Sequence, residues 1–394
     1  MPTTSQPNPG YDVVVVGLGA MGSATVYQLA KAGASVLGID RFAPPHALGS
    51  THGDTRITRL AIGEGMEYVP LVRRSHEIWR EIEDQVGVEL LRQCGGLVMA
   101  PRESQAMHGN ENFLDQTIAA AEHHGIEHQR LTTAQIEQRF PQFTLAGSEA
   151  GYLEPAAGFL RPERCVDAQL QVARSSGATV RFGEQVLAYD DDGVRVRVQT
   201  TKGTVEAAQV VITAGPWVTQ LVPELADQMT VYRQVQFWFD LADRSDYEAY
   251  HRLPVYIWGG GGRRDMIYGF PMVDGPDGGA KVAREQYTSS TTVDEVDRQV
   301  TQDEVDEMYE GFVRHRLPGL GSRCVKARAC LYSVTRGSRF IIDRHPTSPN
   351  VIVASPCSGH GFKHSAAIGE CLAQLATTGT SHVDLSAFRY PPRG

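Results

Sequence analysis

The stretch YDVVVVGLGAMGSATVYQLAKAGASVLGID, residues 11–40, decides the fold. After Asp12 it runs apolar and β-branched through Val16, which suits a short strand buried on both faces. Gly17, Gly19 and Gly22 follow at once in a G-x-G-x-x-G spacing. A helical stretch then ends at Gly33, and a second strand near residues 36–39 ends on Asp40. Strand, glycine turn, helix and strand within about thirty residues is the context that a dinucleotide fingerprint requires. Here Gly17 permits the tight turn, Gly19 lets backbone N–H groups approach a pyrophosphate, and Gly22 lets helix and strand pack closely. The helix N-terminus offers the phosphates its partial positive charge. Asp40 stands at the distance expected of an acceptor for a ribose diol. The glycines alone are weak evidence, and they do not separate NAD from FAD. A chain that returns to the nucleotide-binding region near its end favours FAD, whose ring must be held along its whole length.

Outward from this unit, residues 178–215 read as a meander. Val194, Val196 and Val198 alternate with polar residues after an Asp192-Gly193 turn, Lys202-Gly203 marks another turn, and residues 210–212 return to the buried sheet. Residues 223–324 differ in character, with aromatic-rich strands at 236–239, 255–258 and 266–270, a glycine run at 259–262, and an acidic helical stretch. They read as an antiparallel substrate domain. The last segment brings a strand at 351–354 and a helix whose Ile368, Leu372 and Leu375 share one face, ended by Gly379. The expected fold is therefore α/β in two intertwined domains. Residues 11–90, 151–222 and 325–390 form the nucleotide-binding domain, and 91–150 with 223–324 form the substrate domain.

At 394 residues, with 41% hydrophobic and 21% charged residues, the chain has the balance of an ordinary soluble globular protein too long for one simple core. A formal net charge of −9 argues against broad affinity for nucleic acid or an anionic membrane. An anionic substrate would need a focused positive site. The six cysteines lack the close pairing of a zinc site or a redox dithiol and suggest a reducing compartment. His123, His124 and His128 read as a solvated helix end, not as metal ligands. The first ten residues read as a floppy leader without a targeting signature. No run approaches the ~18 apolar residues of a membrane span, and the terminal YPPRG is not a peroxisomal signal. A cytoplasmic protein, monomer or weak homodimer, is the plain expectation.

Three segments carry a family resemblance: GSTHGDTRITRLAIGEGMEYVPL (residues 49–71), CLYSVTRGSRFIID (330–343) and SGHGFKHSAAIGE (358–370). Together they resemble the monomeric sarcosine oxidase and N-methyltryptophan oxidase family, in the same order and over nearly the whole chain. The resemblance implies a glutathione-reductase-like FAD domain, a mixed sheet over the substrate, and a covalently attached flavin. It matches Cys330 to the cysteine joined to the flavin, and Arg59 with Lys363 to the pair that holds the substrate carboxylate. Lys281, in GGAKVAR, matches the lysine that activates oxygen. His52, Arg56, Tyr268 and Tyr332 fall on site positions. Contacts to FAD are implied at Ala20, Met21, Arg41, Ser50, Val186, Gly215, Trp217, Gly359, His360 and Gly361, and at Lys363. Four residues depart from the family pattern: Glu285 stands where oxidase members often carry a histidine, Thr51 where a second histidine is found, and Pro356-Cys357 replaces a Gly-Phe-like pair; extra residues also lie between Tyr268 and Lys281.

Each residue type suits the chemistry. A planar fork and a point charge make a carboxylate clamp, although each cation alone would be an ordinary surface residue. The Gly359-His360-Gly361 turn before a helix can place backbone donors against developing negative charge. A fixed cation at Lys281 stabilises the anion formed as oxygen is reduced, whereas composition alone would make it a surface lysine. Cys330 alone would be an unremarkable core thiol, and nearby cations would give it thiolate character. The expected activity is oxidation of a secondary-amine α-amino acid of the N-methyl kind, with O2 as acceptor, yielding an imine, then formaldehyde, an amino acid and hydrogen peroxide. Rival readings are oxidation of a cyclic imino acid such as a pipecolate- or proline-like ring, a dehydrogenase with another electron acceptor, and a flavoprotein that only binds amines.

Overall fold

In the computed structural model, which describes residues 10–103, 105–107, 110–260 and 265–390, the apolar run after Asp12 is the strand Tyr11–Val16, buried from Val13 onward. The leader residues 1–9, the last two glycines of the 259–262 run and residues 391–394 lie outside the described residues. Val36–Ile39 pairs with the first strand on one side and Gly203–Ile212 on the other, both in parallel. Thr179–Arg181 and Ser348–Ser355 extend this parallel layer at its two flanks. Val186–Asp191 and Val196–Thr200 form the expected meander, and Ile341–His345 pairs antiparallel with Ser348–Ser355, completing an eight-stranded sheet. A central strand covered on both faces has no wet side, which is why residues 13–16 are all valine.

The helices Ala20–Lys31, Pro162–Ser175 and Ser365–Thr378 pack together against this sheet. Ala20–Lys31 and Ser365–Thr378 cross so closely that a Cβ on Gly369 would lie 2.3 Å from the Ala24 Cβ. The last helix ends on Gly379 at φ +81°, the left-handed position that glycine fills without strain.

A second, nine-stranded sheet holds the aromatic-rich strands Met229–Leu241, Val255–Gly259 and Met266–Gly269. It is antiparallel except where Val255–Gly259 runs parallel to Gly96–Pro101, so it is mixed and not purely antiparallel. The long strand Leu320–Thr335 pairs along Met229–Leu241, and Cys330 lies opposite Gln234. Phe237, Phe239, Tyr256 and Trp258 form much of the core under this sheet. The acidic stretch is the helix Gln302–Met308, started by a capping box between Thr301 and Glu304. A small third sheet of Arg56–Thr58, Gly158–Leu160 and Leu91–Gln93 carries Arg56.

Among the described residues no helix is long and apolar enough to cross a membrane, and no group of three or more His, Cys, Asp or Glu side chains could hold a metal ion. All six cysteines are free.

Candidate active site

The fingerprint glycines each meet a distinct constraint. Gly17 has φ +86°, and a Cβ there would lie 2.7 Å from the Thr213 carbonyl oxygen. A Cβ on Gly22 would fall 1.7 Å from the Gly17 carbonyl oxygen, so the first helix could not sit against the strand. A Cβ on Gly19 would meet only Thr51 Oγ1 at 3.5 Å, which leaves this turn open to a cleft of about 230 Å³.

Asp40 lines the same cleft. Its Oδ2 accepts from the Leu18 N–H and its Oδ1 from the Phe42 N–H, both at 2.7 Å. Each oxygen keeps a second lone pair for a further donor. Burial raises its pKa, and the two backbone bonds oppose that rise. Beside it the Arg41 guanidinium lies over the rings of Phe42 and Trp217, 5.1 and 5.4 Å from their centroids. These residues form an aromatic and cationic wall suited to a flat nucleobase.

The cleft gathers most of the residues singled out from the sequence. Gly17, Gly19, Ala20, Met21, Asp40, Arg41, Ser50, Arg56, Val186, Gly215 and Trp217 line it, as do Arg59, Tyr268, Tyr332, Gly359, His360, Gly361 and Lys363. Gly22, His52, Lys281 and Cys330 do not line it. Ser50 Oγ, buried at the wall, meets no partner among the described residues. An open glycine turn at a helix N-terminus, an acceptor on Asp40 and an unpaired hydroxyl fit a phosphate-bearing dinucleotide such as FAD.

Two cationic groups flank this cleft. In the first, Arg59 donates to one oxygen of Glu64 at 2.6 Å and to the Ala61 carbonyl. Lys363 stands 3.5 Å from the other Glu64 oxygen and donates to the His360 carbonyl at 2.7 Å. Burial lowers the Lys363 pKa to about 8, with Glu64 raising it and Arg59 lowering it. The Arg59 loop is fixed from behind. Leu60 and Ala61 donate their N–H groups to buried Glu154 at 2.6 and 3.1 Å, and Tyr152 donates to the same carboxylate at 2.8 Å.

In the second group, Lys281 is 2% exposed and donates to the Gly53 carbonyl at 2.7 Å, the Thr55 carbonyl at 2.9 Å and Thr55 Oγ1 at 3.3 Å. It lies over the faces of Phe270 and Trp238, 4.7 and 5.2 Å from the centroids. Burial holds its pKa well below the ordinary lysine range, and neighbouring Arg56 lowers it further. Arg56 donates to the Ser50 carbonyl at 2.8 Å and lies 3.6 Å from Cys330 Sγ, which itself donates to Ser50 O at 3.5 Å. Burial raises the Cys330 pKa, and Arg56 opposes it most. His52 is buried beside Arg56 and Lys281. Burial first, and then those cations, push its pKa down to about 3, so it is neutral.

Sequence reasoning missed several acids. Glu64 sits inside the 49–71 motif, five residues after Arg59, so the motif itself was a signal. Glu163 and Glu154 gave none: one looks like an acid in a helix first turn, the other like a strand residue. Glu285, already marked in the sequence as a departure from the family pattern, lines the cleft and accepts from Tyr287 at 2.6 Å. Burial pushes Tyr268 up to about 12 and holds Tyr332 well above the ordinary range, so both are neutral hydroxyl-bearing walls.

The family described as "FAD dependent oxidoreductase" matches residues 12–375. The chain is 38% identical over 382 residues to a monomeric sarcosine oxidase of Streptomyces avermitilis, covering 97% of each. It is 35% identical over 384 residues to an N-methyl-L-tryptophan oxidase of Yersinia pestis, covering 96% of this chain and 98% of that one. It shares its fold with NikD, described as an unusual amino acid oxidase essential for nikkomycin biosynthesis. That match has a TM-score of 0.82 at 24% identity, over 96% of this chain and 97% of NikD. With a cleft suited to a dinucleotide and relatives this similar along the whole chain, the protein belongs to the FAD-dependent oxidoreductase family, among the monomeric sarcosine oxidases and N-methyl-L-tryptophan oxidases.

Proposed function

We propose that the chain is an FAD-dependent oxidase of a small α-amino acid whose nitrogen is a secondary amine, of the N-methyl kind. The observation that carries this reading is the convergence of Arg59 and Lys363 on a single carboxylate, that of Glu64, at the cleft wall. Two cations facing one acid leave a net positive charge that a substrate carboxylate can balance. The names of the relatives, sarcosine oxidase and N-methyl-L-tryptophan oxidase, support the N-methyl class.

When bound, FAD supplies a two-electron acceptor for the C–N bond, with dioxygen as the final oxidant. Arg59 grips the substrate carboxylate with its planar fork, and Lys363 adds a point charge. The same positive charge favours the neutral, reactive form of the amine. Tyr268, Tyr332, Ile257 and Phe270 wall the cleft and exclude water around the reacting carbon. Lys281 places positive charge where dioxygen takes up electrons, in a dry setting where charge acts strongly. Cys330 Sγ would be the attachment atom for the cofactor, with Arg56 beside it to favour the thiolate. Hydrolysis of the imine from an N-methyl substrate releases formaldehyde and the primary amino acid, and oxygen leaves as hydrogen peroxide.

A peroxide-release screen across N-methyl and cyclic amino acids, with formaldehyde measured in parallel, tests the reading. Equal yields of peroxide and formaldehyde are expected from the preferred substrate. Peroxide without formaldehyde would replace the N-methyl assignment by a cyclic one. Substrate-reduced protein that oxygen does not reoxidise would remove the oxidase assignment.

A further inference from the structure

Lys281 is held by a turn that is itself unusual. Gly53 and Asp54 take φ of +99° and +68°, and the second is strained for a residue with a Cβ. A Cβ on Gly53 would fall 2.0 Å from Gln236 Oε1. In this conformation the Gly53 carbonyl, the Thr55 carbonyl and Thr55 Oγ1 all face the Lys281 ammonium, one acceptor for each of its three protons. A neutral amine would turn a lone pair against one of these oxygens, so the turn favours the charged form that burial disfavours. The turn is pinned from outside. One oxygen of Glu163 accepts from Gly53 N–H at 2.6 Å and Asp54 N–H at 3.2 Å, from 110 and 109 residues away in sequence. Asp54 is also ion-paired with Lys326.

We propose that Glu163, in the first turn of the helix Pro162–Ser175, is a positioning residue for oxygen reduction: it locks the Gly53–Thr55 turn and so fixes both the place and the charge of Lys281. The inference rests on the oxygen role given to Lys281 above and adds the group that sustains it. Its negative charge also acts directly on the ammonium, as does that of Asp54. The remaining charged or titratable groups around Lys281 are Arg56 and neutral His52 on the cleft side, and Cys330 on the long strand. Lys326 lies across the Trp238 ring, 4.6 Å from the centroid.

The test uses flavin-loaded enzyme reduced anaerobically with substrate and then mixed with oxygen across a pH series. Reoxidation needs the ammonium, so its rate falls as pH rises through the Lys281 pKa. In Glu163→Gln, which keeps an acceptor but loses the charge, that fall should move to lower pH by about one unit, a tenfold loss on the alkaline side. Glu163→Asp keeps the charge and should restore the profile. Anaerobic reduction should change less than twofold in both, on the order of 0.4 kcal/mol. Hydrogen exchange of the Gly53–Thr55 amides, read by mass spectrometry in apoprotein and loaded protein, should quicken in Glu163→Ala while the rest of the sheet stays protected. Lys281→Met separates the two ideas. If it reoxidises normally, the oxygen reading and this inference both fall. If it is slow while Glu163→Gln keeps the wild-type rate and pH profile, this inference alone falls. Unchanged amide exchange in Glu163→Ala likewise overturns the locking role, whatever the variant's activity.

Discussion

The cleft is flanked by two buried lysines that are held in opposite ways. Lys363 shares a carboxylate with Arg59, whereas Lys281 sits in a ring of backbone and hydroxyl oxygens with aromatic rings beneath it. Burial depresses both pKa values, but Lys363 keeps one of about 8 because Glu64 compensates, while Lys281 is pushed well below the usual range. A cation paired with a side-chain carboxylate can exchange that acid for a ligand of the same chemistry. A cation fixed by main-chain carbonyls cannot, because no incoming anion replaces the backbone. The first arrangement suits binding, and the second suits a permanent field on one spot. Cys330 belongs to the second group through Arg56, in a region built to keep charge in place.

The largest effect expected is all-or-none. Acid-denatured wild-type protein should retain its flavin and exceed the chain mass by about one FAD, with the flavin mapped to Cys330 by peptide mass. Cys330→Ala should release all bound flavin on denaturation. Wild-type protein that is fully loaded yet gives up its flavin to acid would end the attachment, but leave the amine chemistry standing. Next in size, Lys281→Met should slow reoxidation by about a hundredfold to a thousandfold, the usual cost of removing a preorganised charge-stabilising group. Anaerobic reduction by substrate should be nearly unaffected, and stopped-flow spectroscopy separates the two. If reduction suffers instead, the two lysines do not divide the labour as described.

Much of this was legible because it is local. The strand at residues 11–16, the three glycines and Asp40 fall within thirty positions, and short-range sterics dictate each one. The helix closing on Gly379 was legible for the same reason. The counter-charges were not. Glu163 reaches Gly53 across 110 residues and Glu154 reaches Leu60 across 94, and nothing in either neighbourhood marks a partner. Asp40 was legible as an acceptor, but not the use of both its oxygens by Leu18 and Phe42. The family match assigned Arg59 and Lys363 to a substrate clamp and Lys281 to oxygen on the other face of the flavin. One motif held Glu64, five residues after Arg59, but nothing marked Glu163 as the acid that holds the Lys281 turn, and that difference distinguishes the two lysines.

A medium effect probes the exchangeable side. Arg59→Ala should weaken substrate binding about tenfold to a hundredfold, the cost of roughly 1.5–3 kcal/mol for a charge-assisted bond. The substrate amide should bind wild type as weakly as the acid binds the variant. Equal binding of acid and amide by wild type would remove the clamp and, with it, the contrast between the lysines.

The smallest effect is the most discriminating, and it concerns Glu64. If this acid holds the place of a substrate carboxylate, Glu64→Gln should tighten substrate binding at pH 6.5 by about threefold to tenfold, on the order of 1 kcal/mol. The gain should not survive at higher pH. Lys363 has a lowered pKa of about 8, so its charge is present below that value and lost as pH rises through it. Glu64 raises that pKa, so removing its charge moves the loss to lower pH. The variant should therefore bind better than wild type in mild acid, match it near neutrality and fall behind above about pH 8, where wild type still keeps part of the Lys363 charge. Anaerobic titration of flavin absorbance with a carboxylate inhibitor, repeated across this range, gives the ratio of the two dissociation constants. A ratio that changes with pH in this direction makes Glu64 both competitor and charge-keeper for Lys363. A constant ratio would mean that it only competes, and the difference between the lysines would then lie in burial alone.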